Sequence, residues 1–502
     1  MIGEILSATG ILTEITVLAW LVAGVAIGVV FGATPGLTGT AGVAIAVPLT
    51  FALSFTHSMG LLLGLYVGGY FAGSIPAILI NTPGAPGNAA SSLEGYPMAQ
   101  RGEAERAMTL AVLASLVGGI VSVIVLAAAA QPLSRFALGF QSAEYFALGL
   151  LGMLCVAAVS RGSLPKGLAA AMLGALLGTI GIDAVSGAQR LTFGFHQLQG
   201  GISLLPALLA FFAITEILNQ LSHRPKQAGK LPEQQHIPLS RAFLDMWRQK
   251  TIALKGSIIG VFIGMLPGTG PTIAAWIGYA EAARTRRKDE PEMGSGNPRG
   301  LVAAEAANNA VTGGALVPML TLGIPGDTVT AVLIGAFLIQ GIDPGPFFIR
   351  TQGDLFAQIL VLLLAANLIM VAMTLSLRRA FPLVLRIPMH TLVPIIAVLC
   401  TAGGFAVNNS SFDVVLIGIL GVAGFGLSRL GMPMAPVVLG LVLGPIVEEN
   451  LRNAVTAASG DWSIFISRPV SATLLAIVAI VLIGAFVAEV RRTRTRSQRA
   501  ER

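Results

Sequence analysis

A glycine–proline frame occurs twice in this chain and constrains its fold more than any other feature. The first copy is Gly24, Gly28, Gly32, Pro35 and Gly36. The second is Gly256, Gly260, Gly264, Pro267 and Gly268, each 232 positions later (24 and 256, 36 and 268). A second matched frame follows: Pro76, Pro83 and Gly84, then Pro318, Pro325 and Gly326, 242 positions later (76 and 318, 84 and 326). Both copies lie in strongly apolar sequence. Two hydrophobic halves interrupted at matching points are the pattern of a secondary transporter, with substrate held where broken helices meet near the bilayer midplane.

Composition says what solvent the halves meet. Of 502 residues, 54% are hydrophobic and 11% charged, and mean hydropathy is +0.80; ordinary soluble chains carry about 25% charged residues. Apolar stretches at 17–31, 58–80, 107–130, 136–159, 204–218, 355–377 and 472–487 approach the ~20 residues that cross a hydrocarbon core. Shorter runs lie between them. The expected fold is an all-α polytopic membrane protein with about 10–14 membrane-embedded helical segments. It is read as two pseudo-symmetric, inverted repeats with broken helices or re-entrant hairpins, plus scaffold helices.

Charge supplies the organisation. Basic residues gather at 223–255, 284–288, 378–386 and 491–502, where the positive-inside rule places cytoplasmic segments. The chain thus reads as a first repeat half, 1–222, and a cytoplasmic linker, 223–250. A second half with scaffold helices, 251–490, and a basic tail, 491–502, follow. Segment 251–283 has basic loops on both sides, so it enters and leaves on one side as two half-helices joined at 266–271. One long kinked span is the rival. The first half mirrors this at 17–55, broken at 33–40. Its loop at 94–106 is less positive than 284–299, the basis for reading the repeats as inverted. The net charge of +7 describes a solvated cytoplasmic face and not a nucleic-acid surface. The first ten residues lack the basic region of a signal peptide. Cys155 and Cys400 lie in apolar runs and read as packing, not as a disulfide.

The breaks carry the chemistry. Proline removes a backbone donor, and glycine adopts angles other residues avoid. In a membrane the freed groups must be buried in protein or line a watery cavity. A half-helix that starts after a break points free N–H groups and a positive dipole end at the site. An anion can then be held without buried lysine or arginine, and basic residues are nearly absent from the broken segments. Candidate substrate contacts are Thr38, Gly39, Thr40, Asn81, Thr82, Pro83, Gly84, Asn88, Pro325, Gly326 and Thr328. Candidate coupling-ion contacts are Thr34, Pro35, Gly36, Pro267, Gly268, Thr269, Thr272, Asn308, Asn309 and Asp327. Ser91 and Ser92 accompany Asn88 as ligand or loop. A carboxylate at membrane depth is costly and by default functional; the bland alternative for Asp327 is a helix N-cap. Asn308 and Asn309 read equally as ligands or as interhelical glue. The four-spaced glycines read as close helix packing. Glu305, Glu144, Glu216 and Asp183 are expected near interfacial helix ends, and His57 as an interfacial residue. H-E-x-x-H, G-x-S-x-G and the P-loop pattern are absent from the sequence, which argues against an enzyme and against a P-loop ATP-driven pump. A metal is expected only as Na+. A passive anion channel, or a permease for another small organic solute, is the alternative reading.

Four stretches resemble one family: GVVFGATPGLTGTAG (28–42), GGYFAGSIPAILINTPGAPGNAAS (68–91), GVFIGMLPGTGPT (260–272) and EAANNAVTGGALVPMLTLGIPGD (305–327). They are similar to the large membrane subunit of the tripartite tricarboxylate transporters, the TctA-type permeases. The resemblance runs from about residue 3 to beyond 449. It implies a bacterial inner-membrane symporter for carboxylates, citrate among them, driven by Na+ or H+ with no other cofactor. It also implies a small four-helix membrane subunit of TctB type and a periplasmic solute-binding protein of TctC type as partners, and leaves room for a homo-oligomer. The family's Pro-Gly stretches correspond to Pro35-Gly36, Pro83-Gly84, Pro267-Gly268 and Pro325-Gly326.

Overall fold

The computed structural model describes residues 2–159, 164–183, 185–222, 238–377 and 389–500. The basic run 378–386 and linker residues 223–237 lie outside the described residues, as do the side chains from 491 onward. The chain begins with α1 (Ile2–Ala8), α2 (Ile15–Ala33), α3 (Gly39–Ala46), α4 (Phe55–Ala72), α5 (Ser74–Ile80), α6 (Ala89–Gln100) and α7 (Ala104–Ala137). Then come α8 (Ser142–Val159), α9 (Leu164–Gly178), α10 (Leu204–Leu208) and α11 (Thr215–Ser222), the last two joined by one π-turn. Within the linker, α12 (Leu239–Arg248) is helical. The second copy of the frame forms α13 (Lys250–Met265), α14 (Gly270–Arg284), α15 (Pro298–Leu322) and α16 (Thr328–Ile339). The remainder is α17 (Phe348–Thr351), α18 (Gly353–Leu377), α19 (Met389–Asn408), α20 (Ser411–Arg429), α21 (Met434–Ala457), α22 (Ile464–Ser467) and α23 (Pro469–Ala500). Among the described residues the strands are one antiparallel two-residue pair, Gly181–Ile182 with Gln189–Arg190.

Seven described helices are long and apolar enough to cross a membrane, and six shorter apolar helices accompany them. Large apolar side chains such as Ile124, Phe262, Val398 and Ile419 point outward, whereas Glu305, Asn309, Thr330 and Asn367 are fully buried. That polarity, apolar outside and polar groups inside, suits a helix bundle in lipid. This is an all-α polytopic membrane protein.

The chain divides into two compact units. One comprises Met1–Leu138 and Leu205–Gly426; the other comprises Gly139–Leu204 and Leu427–Arg502. In the first unit α2 packs along α4 and α13 packs along α15, and the glycines make both pairings close. A Cβ on Gly28 would stand 2.6 Å from the Leu65 carbonyl oxygen, and one on Gly260 would collide with the Ala307 carbonyl. Leu65 and Ala307 are themselves 242 positions apart, so the two halves repeat the same backbone-to-backbone contact.

In the second unit α9 packs on α21, again glycine to backbone: Gly178 approaches the Leu441 carbonyl, and Gly440 that of Ala171. Arg190 pairs with Glu448 (2.5 Å) and Asp183 (3.0 Å), and Arg452 also pairs with Asp183 (2.7 Å). Hydrogen bonds from Ser186 and Arg452 hold the Asp183 carboxyl below the usual carboxylate range. Glu144, in the first turn of α8, is paired with Arg468.

A polar latch in the first unit ties α6 to the loop before α15. The buried Glu94 carboxylate accepts from Tyr279 Oη (2.8 Å) and from the backbone N–H groups of Gly294 (2.6 Å), Gly296 (2.8 Å) and Asn297 (2.7 Å). Arg101 donates to the carbonyls of Ser295 and Gly296. Hydrogen bonds to a charged group each contribute about 1.5–3 kcal/mol. Glu94→Ala should therefore loosen residues 285–297, and limited trypsin digestion should cut at Arg286, Arg287 or Lys288 about tenfold faster or more. An unchanged cleavage rate would show that the latch does not hold this loop.

Candidate functional site

The four breaks have matching backbones. Thr34 and Leu266, each before a proline, are extended (φ −82°, ψ 113° and φ −83°, ψ 118°), as the proline ring demands of its predecessor. Gly36 and Gly268 follow with φ +88° and +77°, angles that cost glycine nothing. Asn81 and Gly323 end α5 and α15 in the left-handed conformation, φ +53° and +71°. Each pair is related by the sequence offset of 232 or 242.

The half-helices then meet at their N-termini. Thr40 Oγ1, in the first turn of α3, lies 3.0 Å from Thr328 Oγ1, the first residue of α16. Equivalently, the turn Pro86–Asn88 before α6 packs on the start of α14, where a Cβ on Gly87 would stand 3.1 Å from Pro271 Cβ. The first pair joins α3 to α16; the second joins their counterparts, α14 and the start of α6. Gly268 N donates to Gly326 O (2.8 Å), and Gly84 N to Gly73 O (3.0 Å). The positive N-terminal ends of α3 and α16 are thereby brought together at the breaks.

Asp327 sits among them, 1% exposed. It is the N-cap of α16 in a capping box. Its Oδ1 accepts from Thr330 N (2.7 Å) and Thr330 Oγ1 (2.8 Å), and Thr330 Oγ1 accepts from Asp327 N (2.9 Å). Its Oδ2 accepts from Tyr66 Oη (2.7 Å) and Tyr70 Oη (2.5 Å), two rings packed edge to face one turn apart on α4. The cap reading of Asp327 is thus the one the geometry shows. All four acceptor positions are filled, so a cation at Asp327 would have to displace a tyrosyl donor.

A second polar cluster lies one link away. Asn88 and Asn308 both donate to the Tyr70 carbonyl, at 3.1 and 3.0 Å. Asn88, the N-cap position of α6, also reaches Glu305 Oε1 (3.5 Å), which accepts from Ser91 Oγ as well, and Ser115 Oγ donates to Glu305 Oε2 (3.2 Å). Glu305 is thus fully buried within the protein in the second turn of α15. Along the chain it lies near a loop; in space α6 and α7 cover that turn.

The remaining sequence candidates scatter. Thr38 caps α3 through Ala41 N (3.2 Å), Gly39 packs on Gly69, and Thr34 bonds back to Val30 O (2.7 Å). Thr269 bonds to Ile263 O and to Leu266 O (3.0 Å), while Thr272 lies half-buried in the first turn of α14. Pro325 and Gly326 are buried beside Asp327, Pro267 is buried before Gly268, and Pro35 is half-buried. Asn81 is exposed, and Thr82 Oγ1 turns to Ile80 O (3.3 Å) with Pro83 next to it. Asn309 points away from Asn308, to Ser115 O (3.1 Å) and Asn367 Oδ1 (3.2 Å); it ties helices α7, α15 and α18 together. His57 binds Ser54 and Thr16. Sequence reasoning passed over Tyr66, Tyr70 and Ser115, whose polar atoms sit on otherwise apolar helices. The four-residue spacing of the tyrosines was the available signal.

The model of the family described as "Tripartite tricarboxylate transporter TctA family" matches residues 18–439. A relative from Agrobacterium vitis, described as "Uncharacterized 52.8 kDa protein in TAR-I ttuC' 3'region", is 37% identical over 424 residues, 84% of each chain. A second from the same organism, "Uncharacterized protein in TAR-II ttuC' 3'region", is 37% identical over 235 residues, 47% of this chain and 97% of its own. No solved structure matches. With its matched breaks and a family match spanning nearly its whole length, this chain belongs to the tripartite tricarboxylate transporter TctA family.

Proposed function

We propose that this chain is the large permease subunit of a binding-protein-dependent secondary transporter of the bacterial inner membrane. It imports tri- or dicarboxylates of the citrate kind by cation symport with alternating access. A small four-helix TctB-type subunit and a periplasmic TctC-type binding protein complete the system. The observation that carries the reading is the meeting of half-helix N-termini at matched breaks, in a chain of this family. Thr38, Gly39, Thr40 and Thr328, at the N-terminal ends of α3 and α16 beside Pro83-Gly84 and Pro325-Gly326, offer donors to a carboxylate. Binding energy drawn from helix ends suits alternating access, since small shifts of a half-helix change the number of donors aimed at the substrate.

The test is uptake of labelled citrate and other di- and tricarboxylates into proteoliposomes holding this chain and the small subunit, with binding protein outside. Sodium and proton gradients are imposed separately. The expected result is accumulation above equilibrium under one gradient and only with binding protein. Equilibration without a gradient would overturn the symport reading in favour of a channel.

A further inference from the structure

We infer that Glu305 is a proton-carrying group of this chain, taking up one proton on one side of the membrane and releasing it on the other. The carboxyl is 0% exposed, and its hydrogen-bond partners are neutral: Ser91, Asn88 and Ser115. Among the described residues no basic side chain pairs with it. An ionised carboxylate so placed is expensive, and binding a proton removes the cost.

The shell suits a proton better than a metal ion. Ser91 and Ser115 carry hydroxyls, which donate to a carboxylate and, by rotating, accept from a carboxylic acid. Both forms are then satisfied without moving a heavy atom. A metal cation needs acceptor oxygens turned toward it, whereas three donors are turned toward Glu305. A further acceptor waits nearby: Asn88 Oδ1 is buried without a hydrogen-bond partner, and Asn88 is 1% exposed. Such a group calls for a donor that the resting arrangement does not supply.

The titratable groups around Glu305 are few. From α14, Tyr279 packs against the alanine cluster Ala90, Ala275 and Ala304 and gives its hydroxyl to Glu94, one turn beyond Ser91 on α6. From α4, the Tyr70 carbonyl shares Asn88, and Tyr70 Oη binds Asp327. None of these is a cation that would hold Glu305 ionised.

The same bonds link the proton to the breaks. Asn88 and Ser91 form the N-terminus of α6, so an ionised Glu305 draws that positive helix end toward itself. Protonation weakens the hold on α6 and on the break at 81–88 just before it. The proton site stands on the geometry alone; its coupling to substrate rests on the transport reading above.

Two measurements on the full-length protein in proteoliposomes test this. Infrared difference spectra between alkaline and acid pH should show a protonated-carboxyl C=O band that is lost in Glu305→Gln. Glu305→Gln should also keep exchange of labelled for unlabelled citrate and lose accumulation driven by a pH gradient. Should Glu305→Gln be poorly folded, Ser115→Ala, which removes one donor to the charged form, should move the band's appearance to higher pH. Absence of a titrating band in the parent, its persistence in Glu305→Gln, or an unmoved band in Ser115→Ala would overturn the proton site. Accumulation driven by sodium alone, or undiminished in Glu305→Gln, would overturn the coupling. A parent that moves no carboxylate yet shows the Glu305 band would overturn the transport reading and leave the proton site standing.

Discussion

Asp327→Ala should be the most damaging single substitution at the breaks. It deletes the cap of α16, a loss of about 1–2 kcal/mol. It also removes the acceptor of the buried Tyr66 and Tyr70 hydroxyls, at about 1–3 kcal/mol for each group left unsatisfied. Together these approach the lower end of the ~5–15 kcal/mol by which domains are stable. The detergent-solubilised variant should show a markedly lower Tm and a smaller monodisperse peak. Asp327→Asn retains an oxygen for the cap and an amide that the tyrosyl oxygens can accept from, so it should lose much less. If Asp327→Ala melted with the parent, the capping box and tyrosine pair would not be holding the second break together.

Gly28→Val should rival it by a different route. Its Cβ would lie 2.6 Å from Leu65 O and 2.9 Å from Gly69 N. Both obstacles are backbone, so no rotamer change relieves them. Overpacking of this kind costs about 1–3 kcal/mol and sometimes more, and here α2 must move off α4 along its length. Gly418→Val is the control: it lies on an exposed face of α20 with nothing within 4 Å. The expected outcome is a depressed Tm and yield for Gly28→Val and unchanged values for Gly418→Val. Equal behaviour of the two would refute close backbone packing as the role of the glycine frame.

Much of the broken-helix plan was legible because proline and glycine act locally. A residue before proline is extended whatever surrounds it, so Thr34 and Leu266 share one conformation, and α2 and α13 both end one residue earlier. The 242-residue offset likewise carries the end of α5 onto the end of α15. Function at the level of family was legible from four motif stretches, and the family match covers them. The side-chain groupings were not. Asn308 and Asn309 are adjacent in sequence and serve different helices, since successive residues on a helix point about 100° apart. Tyr66 and Tyr70 gain meaning only from Asp327, more than 250 residues away. The cover over Glu305 was not legible either, because the sequence shows distance from a loop and not what packs over it.

The sequence by itself determined the solvent, the helical class and the places where helices break, since these follow from composition and from backbone chemistry within a few residues. Only the tertiary structure decided which half-helix N-termini meet and which carboxylate is capped by tyrosines. It alone showed that a second carboxylate is sealed among hydroxyls. Those outcomes depend on contacts between segments hundreds of residues apart, and no local propensity encodes them.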